Sequence, residues 1–80
     1  MRLIDRITVD PQVCNGKPTV RGSRITVQTI LEFLAAGNSI EEILENYPFL
    51  EKEDIYAALQ YATEVLRQNY SIKKISVNYA

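Results

Sequence analysis

Histidine is absent from this 80-residue chain, and cysteine occurs once. The first absence removes the side chain that general acid–base catalysis uses most often. Together the two leave too few nitrogen and sulfur ligands for a zinc site. A lone cysteine closes no internal disulfide, which suits a reducing cytoplasm, and that is where we expect the protein to act. No apolar run approaches the roughly 18 residues of a transmembrane helix. The opening Met-Arg-Leu-Ile-Asp-Arg-Ile lacks the apolar stretch of a secretion signal. There is no phosphate-cradling glycine motif and no paired nucleophile and base. The sequence therefore reads as non-enzymatic, with no cofactor and no metal. No linker or low-complexity segment interrupts it, so it forms one domain. A chain this short buries only about 60–65% of its unfolded surface, and folds of this size often gain stability from a partner or a second copy.

What the sequence does contain is concentrated at its front. Residues 10–27 hold two of the three glycines, two of the three prolines and three basic side chains, Lys17, Arg21 and Arg24. Asn15-Gly16 is the dipeptide that a two-residue hairpin loop prefers, because both central residues need positive φ. Val13 and Val20 flank it as the arms of a short hairpin. Pro18 has no amide hydrogen, so its arm is expected at an edge. Ahead of this, residues 6–9 read as a strand ended by Asp10-Pro11. Arg21-Gly22-Ser23-Arg24 turns the chain a second time and brings two guanidinium groups close together.

Helices follow. Thr26 is the expected N-cap of the first, with Val27, Ile30, Leu31 and Leu34 at helical spacing and Gly37 at the left-handed closing position. Ser39 and Glu42 make a capping box for a short second helix carrying Ile40, Ile43, Leu44 and Tyr47, which Pro48 stops. A third helix is expected over residues 51–67, its stripe formed by Ile55, Ala58, Leu59, Ala62 and Leu66. Glu51, Glu53 and Asp54 in its first turn complement the helix dipole. The expected core is Val27, Ile30, Leu34, Ile40, Ile43, Leu44, Ile55, Leu59 and Ala62, with Leu59→Ala costing about 2–5 kcal/mol. Cys14 reads as a small buried side chain. In the last ten residues, Ile75, Val77 and Tyr79 alternate with Ser76 and Asn78, the period of a strand or of a tail that becomes one on binding.

The net charge of −1 conceals an uneven distribution. Residues 1–31 carry five basic and two acidic side chains, residues 32–66 one basic and eight acidic, and residues 67–80 three basic. Both ends are cationic and the middle is anionic, an asymmetry that speaks to partners.

One long ordered phrase runs through Asp10-Pro11, Cys14, Gly16-Lys17-Pro18, residues 21–27 (Arg-Gly-Ser-Arg-Ile-Thr-Val), Gly37-Asn38-Ser39, Tyr47-Pro48 and Glu53-Asp54-Ile55. It resembles the bacterial domain-of-unknown-function 433 family, also described as VapB-like antitoxins, over about residues 4–66. The resemblance implies a homeodomain-like helix-turn-helix fold with a small β element in front. It also implies a role beside a PIN-like nuclease toxin, with operator DNA as a further ligand. Members of that family often carry threonine or serine before the Glu-Asp pair as cap of the third helix. Here Leu50-Glu51-Lys52 stands there, which makes the helix start more acidic.

The resulting expectation is a mostly α protein: a three-helix, helix-turn-helix-like bundle over residues 1–70 with an N-terminal β element, and a C-terminal strand or partner-binding tail over residues 71–80. Lys17, Arg21 and Arg24 are the DNA-contact candidates, gripping phosphates; the alternative is a solvated turn whose arginines pair with helix carboxylates. Against docking of a recognition helix, Glu51-Lys52-Glu53-Asp54 would set three carboxylates at its leading end. Lys73, Lys74, Ile75, Val77 and Tyr79 are the protein-contact candidates, adding a strand to a partner's sheet; the alternative is pairing with residues 6–9 of this chain or of a copy. Two functions compete: an antitoxin-like protein that binds a PIN-like toxin and regulates its own operon, or a DNA-binding transcriptional regulator with no toxin partner. A structural dimer with neither role is a third. A homodimer or a hetero-complex is expected, and no membrane.

Overall fold

The computed structural model describes residues 2–69. A 3₁₀ turn, Leu3–Arg6, leads into strand β1 (Ile7–Thr8). A second 3₁₀ turn, Cys14–Gly16, precedes strand β2 (Thr19–Val20). Three helices follow: α1 (Val27–Ala35), α2 (Ile40–Asn46) and α3 (Lys52–Asn69). The fold is mostly helical with a small antiparallel sheet near its N-terminus. The proposed C-terminal segment, residues 71–80, lies outside the described residues.

The sheet differs from the hairpin expected around Asn15-Gly16. β1 pairs with β2, Ile7 opposite Val20 and Thr8 opposite Thr19. Asn15 (φ 59°) and Gly16 (φ 81°) do take the positive φ that their dipeptide favours, but Cys14 (φ 50°) does so too. Three left-handed residues in succession curl the chain into a compact turn within the long loop that joins β1 to β2, instead of forming a two-residue hairpin loop. The partner of β2 therefore lies farther back, in the first expected strand. Nor does Pro18 place this arm at an edge. β2 is bonded on one side to the first strand, with the Arg21 amide donating to the Arg6 carbonyl at 2.7 Å. On the other side the Val20 amide donates to the Ile25 carbonyl at 2.9 Å and the Val27 amide to the Pro18 carbonyl at 2.9 Å. Pro18 takes part as an acceptor, for which it needs no amide hydrogen.

Both ends of α1 and the start of α2 are where the sequence puts them, whereas α3 runs past the expected Arg67 to Asn69. The Thr26 hydroxyl accepts the Thr29 amide at 3.0 Å. Gly37 (φ 95°) closes α1, its amide donating to the Leu34 carbonyl and that of Asn38 to the Phe33 carbonyl, both at 3.0 Å, which is a Schellman closure. At α2 the Ser39 amide donates to Glu42 Oε1 at 2.7 Å and the Glu42 amide to Ser39 Oγ at 3.1 Å.

Val20, Val27, Ile30, Ile43, Leu50, Ile55 and Ala58 form the buried core, with Leu34, Ile40, Leu44 and Tyr47 packed against it. On α3 the buried positions Asp54, Ile55, Ala57 and Ala58 span an arc of about 160° at 3.6 residues per turn. The arc is wide because α3 is covered on two sides, by α1 and by the 3₁₀ turn Leu3–Arg6, which makes the most extensive contact with it. Leu59, expected in the core, lies about 40° beyond Ile55 around the helix and is 41% exposed. Its neighbour on the expected stripe, Leu66, is 68% exposed, and Ala62 is half-buried. Val20 and Leu50 take up the core positions that the helical stripe alone does not reveal.

Candidate functional site

The basic front element is held by its own turns. The Asp10 carboxylate accepts the Gln12 amide at 2.9 Å, and the Cys14 thiol donates to the Arg24 carbonyl at 3.4 Å. That contact lays the Cys14–Gly16 turn against the second turn, so Cys14 is half-buried rather than buried. In the second turn Gly22 has φ 80° with nothing near its Cα face. Ser23 Oγ donates to the Val20 carbonyl at 2.9 Å and accepts the Ile25 amide at 3.1 Å. Gly22 and Ser23 thus shape the loop and leave their neighbours to face water. Lys17, Arg21 and Arg24 are all exposed on this element. Lys17 and Arg24 have no ion-pair partner among the described residues.

A fourth basic residue behaves differently. Arg6, at the end of the first turn, donates through Nη1 to Glu51 Oε1 at 2.7 Å and to Asp54 Oδ1 at 3.0 Å. The second oxygen of Asp54 accepts the Glu51 amide at 2.7 Å. Asp54 is thus the N3 residue of α3 reaching back to the cap, half of a capping box, and Glu51, standing where a threonine or serine would cap, sends its carboxylate to Arg6. These bonds raise the Arg6 pKa, that to Glu51 first and that to Asp54 second. A folded pKa above the unfolded one gives stability that is complete below the unfolded value and is lost only as pH rises through the folded one. For a guanidinium that window lies in strongly alkaline solution, so this contribution is flat across neutral pH. Sequence reading missed the cluster. Its one local signal was Asp54 three residues after Glu51; the cation comes from the far end of the chain.

The arrangement bears on the recognition-helix question. The leading end of α3 carries Glu51, Lys52 and Glu53 at the surface and Asp54 buried beneath Arg6. Its one inward cation is occupied by carboxylates, and its outer face is net acidic.

A third feature is apolar. Between the start of α1 and the last turns of α3 lies a groove of about 370 Å³, its walls including Pro18, Val27 and Leu31 on one side and Tyr61, Val65 and Leu66 on the other. Among the described residues, Lys17 is the one charged residue lining it. Val65 falls within the buried arc of α3 but is 39% exposed, because the helix here runs on past the elements that cover its first half. The partner-contact candidates Lys73, Lys74, Ile75, Val77 and Tyr79 lie outside the described residues. No helix among the described residues is long and apolar enough to cross a membrane.

These features sit on a fold already seen in other chains. A family model described as "Protein of unknown function (DUF433)" matches residues 7–62. The chain belongs to that family. Uncharacterized protein y4eO of Sinorhizobium fredii (strain NBRC 101917 / NGR234) is 41% identical over 56 residues, which make up 70% of this chain and 25% of that protein. The chain thus corresponds to about a quarter of that relative's length. The crystal structure of a DUF433 member protein from Anabaena variabilis ATCC 29413 is 36% identical with a TM-score of 0.74, over 79% of this chain and 62% of that one.

Proposed function

We propose that this chain is a non-catalytic interaction protein, an antitoxin-like partner of a PIN-like nuclease. The observation that carries the reading is apolar surface concentrated on one helix. Tyr56, Leu59 and Leu66 lie within about 80° of one another around α3 and are each at least 41% exposed, and apolar surface gathered on one side of a small protein marks a protein-binding face. The cationic, alternating tail supplies the contact itself. Lys73 and Lys74 approach the acidic cluster with which such a nuclease holds metal ions, while Ile75, Val77 and Tyr79 add a strand to its sheet. Co-expression with a PIN-like protein encoded beside this gene tests it. The complex is expected to co-purify and the nuclease's toxicity to be relieved, and Ile75→Asp with Val77→Asp in the full chain is expected to weaken both. Absence of co-purification together with undiminished toxicity overturns the reading.

A second role, binding of operator DNA, is favoured by the exposure of Lys17, Arg21 and Arg24 on one small element. It uses the front element and leaves α3 out of the major groove. Each phosphate contact steepens the dependence of log K on log salt by about 0.9. Arg21→Ala with Arg24→Ala is therefore expected to flatten the slope for upstream DNA by roughly 2. A slope unchanged by the double substitution removes these two residues from the interface.

A further inference from the structure

We propose that Asn15 is a latent site of spontaneous deamidation which the fold keeps closed, so that opening of the Cys14–Gly16 turn commits the front element to an irreversible change of charge. No partner is needed for it. The chain has five asparagines, and Asn15 alone precedes a glycine. Glycine has no Cβ, so nothing shields its amide nitrogen from the asparagine side chain before it. In an opened turn the Gly16 nitrogen gives up its proton to solvent base and attacks the Asn15 amide carbon. The N–Cγ bond forms, the Cγ–Nδ2 bond breaks and ammonia leaves, carrying a proton from water. Water then opens the cyclic imide at either of its carbonyls. The product is aspartate, or isoaspartate with the main chain running through Cβ and Cγ, and nothing is oxidised or reduced.

The native turn blocks the first step twice. Asn15 is held at φ 59° and ψ 32°. With that ψ the Gly16 nitrogen lies on the far side of the Cα–C bond from Cβ, and the ring cannot close. The same nitrogen donates its hydrogen to the Val13 carbonyl at 3.0 Å, which retains the proton that must leave. The next amide, that of Lys17, donates to the Cys14 carbonyl at 3.1 Å, and the Cys14 thiol ties the turn to the Arg24 carbonyl. Protection thus lasts as long as the turn does, while the Asn15 side chain is exposed to the water that the reaction consumes. A local opening suffices, at a free energy below that of global unfolding. The consequence falls on the cationic element. Residues 10–27 carry three basic side chains and one acidic, Asp10, for a net +2, and a second carboxylate at residue 15 brings it to +1. Isoaspartate also lengthens the main chain by a carbon, which spoils the spacing of the Val13–Gly16 bond and keeps the turn from forming again.

Incubation of the full-length chain in native buffer and in guanidinium chloride at the same pH tests this, with peptide mass spectrometry reading the exchange of amide for acid at each asparagine. In denaturant Asn15 is expected to convert before the other four. In native buffer its conversion is expected to be roughly tenfold slower or more, because the rate is scaled by the population of the opened turn. Below the unfolding transition, added denaturant is expected to raise conversion in step with hydrogen exchange of the Gly16 amide, since both need the bond to Val13 to break. Returned to native buffer, the isoaspartate chain is expected to leave that amide unprotected. Equal rates in the two buffers, earlier conversion of another asparagine in denaturant, a conversion rate indifferent to Gly16 exchange, or protection regained by the isoaspartate chain overturns the proposal.

Discussion

Ile55→Ala lowers the free energy of unfolding by about 2–5 kcal/mol, enough to leave a large fraction of the chain unfolded under native conditions. A domain of this length has roughly 4–12 kcal/mol in all. Ile55 has no accessible surface and sits with Ile30 and Ile43, also fully enclosed, where α3 meets the other helices. Removing three carbons there opens a void that its neighbours fill poorly, since Ala58 beside it has only a methyl group with which to close in. The matched control is Leu59→Ala, four positions along the same helix. The spacing of apolar residues treats the two leucine-sized positions alike; the structure separates them, because Leu59 already meets water. Its truncation is expected to cost about 1 kcal/mol or less. Urea denaturation followed by circular dichroism reads both. Equal midpoints for the two variants would mean that the face of α3 has been assigned wrongly.

Asp54→Ala is the second large effect, about 1–3 kcal/mol. The carboxylate does two jobs with two oxygens: one bonds Arg6 and the other the Glu51 amide at the head of α3. The substitution leaves a helix-end amide without its acceptor and removes the more enclosed of the two anions around Arg6. Asp54→Asn keeps an oxygen for the amide and loses the charge, and is expected to fall between the wild type and the alanine variant. Glu51→Gln gives the counterpoint. The shorter bond to Arg6 is the one from Glu51, and it contributes first to the raised pKa. Even so, the Glu51 side chain is 66% exposed against 10% for Asp54. Burial decides between them, since an exposed ion pair is screened by water and salt and adds little. The ranking expected in chemical denaturation is Asp54→Ala, then Asp54→Asn, then Glu51→Gln within the scatter of a surface substitution. A Glu51→Gln loss as large as that of Asp54→Ala would move the anchor of Arg6 to the outer carboxylate.

What the sequence disclosed and what it hid divide along a physical line. Caps and stops are written in neighbouring residues: Thr26, the Ser39/Glu42 pair and Gly37 each act within a few positions, and each was legible. The sheet was half legible. Residues 6–9 read as a strand and residues 7 and 8 form one, but the preference of Asn15-Gly16 for positive φ is satisfied by a turn that Cys14 also joins, so the local signal is right and the topology drawn from it is not. The core failed where a helix is covered from more than one side. α3 is enclosed by α1 and by the first turn of the chain, which buries Asp54 and Ala57 and leaves Leu59 out, whereas an apolar stripe assumes a single covering surface. For the candidate site, the three exposed cations of the front element were found by composition alone. The Arg6 cluster was not, because nothing near residue 6 announces a partner beyond residue 50. The groove was invisible for the same reason: its walls come from residues 17–31 and 61–66, which only the folded chain brings together.

The clasp of Arg6 on Asp54 joins residues 48 positions apart. A ribosome adding about 5–20 residues per second therefore delivers the carboxylates roughly 2–10 s after the guanidinium. Over that interval the turn around Arg6 is without its anchor, and the strand that follows it cannot be secured against α3. The clasp can thus close only after Asp54 has been translated, and the turn that carries Arg6, although made well before α3, is locked late.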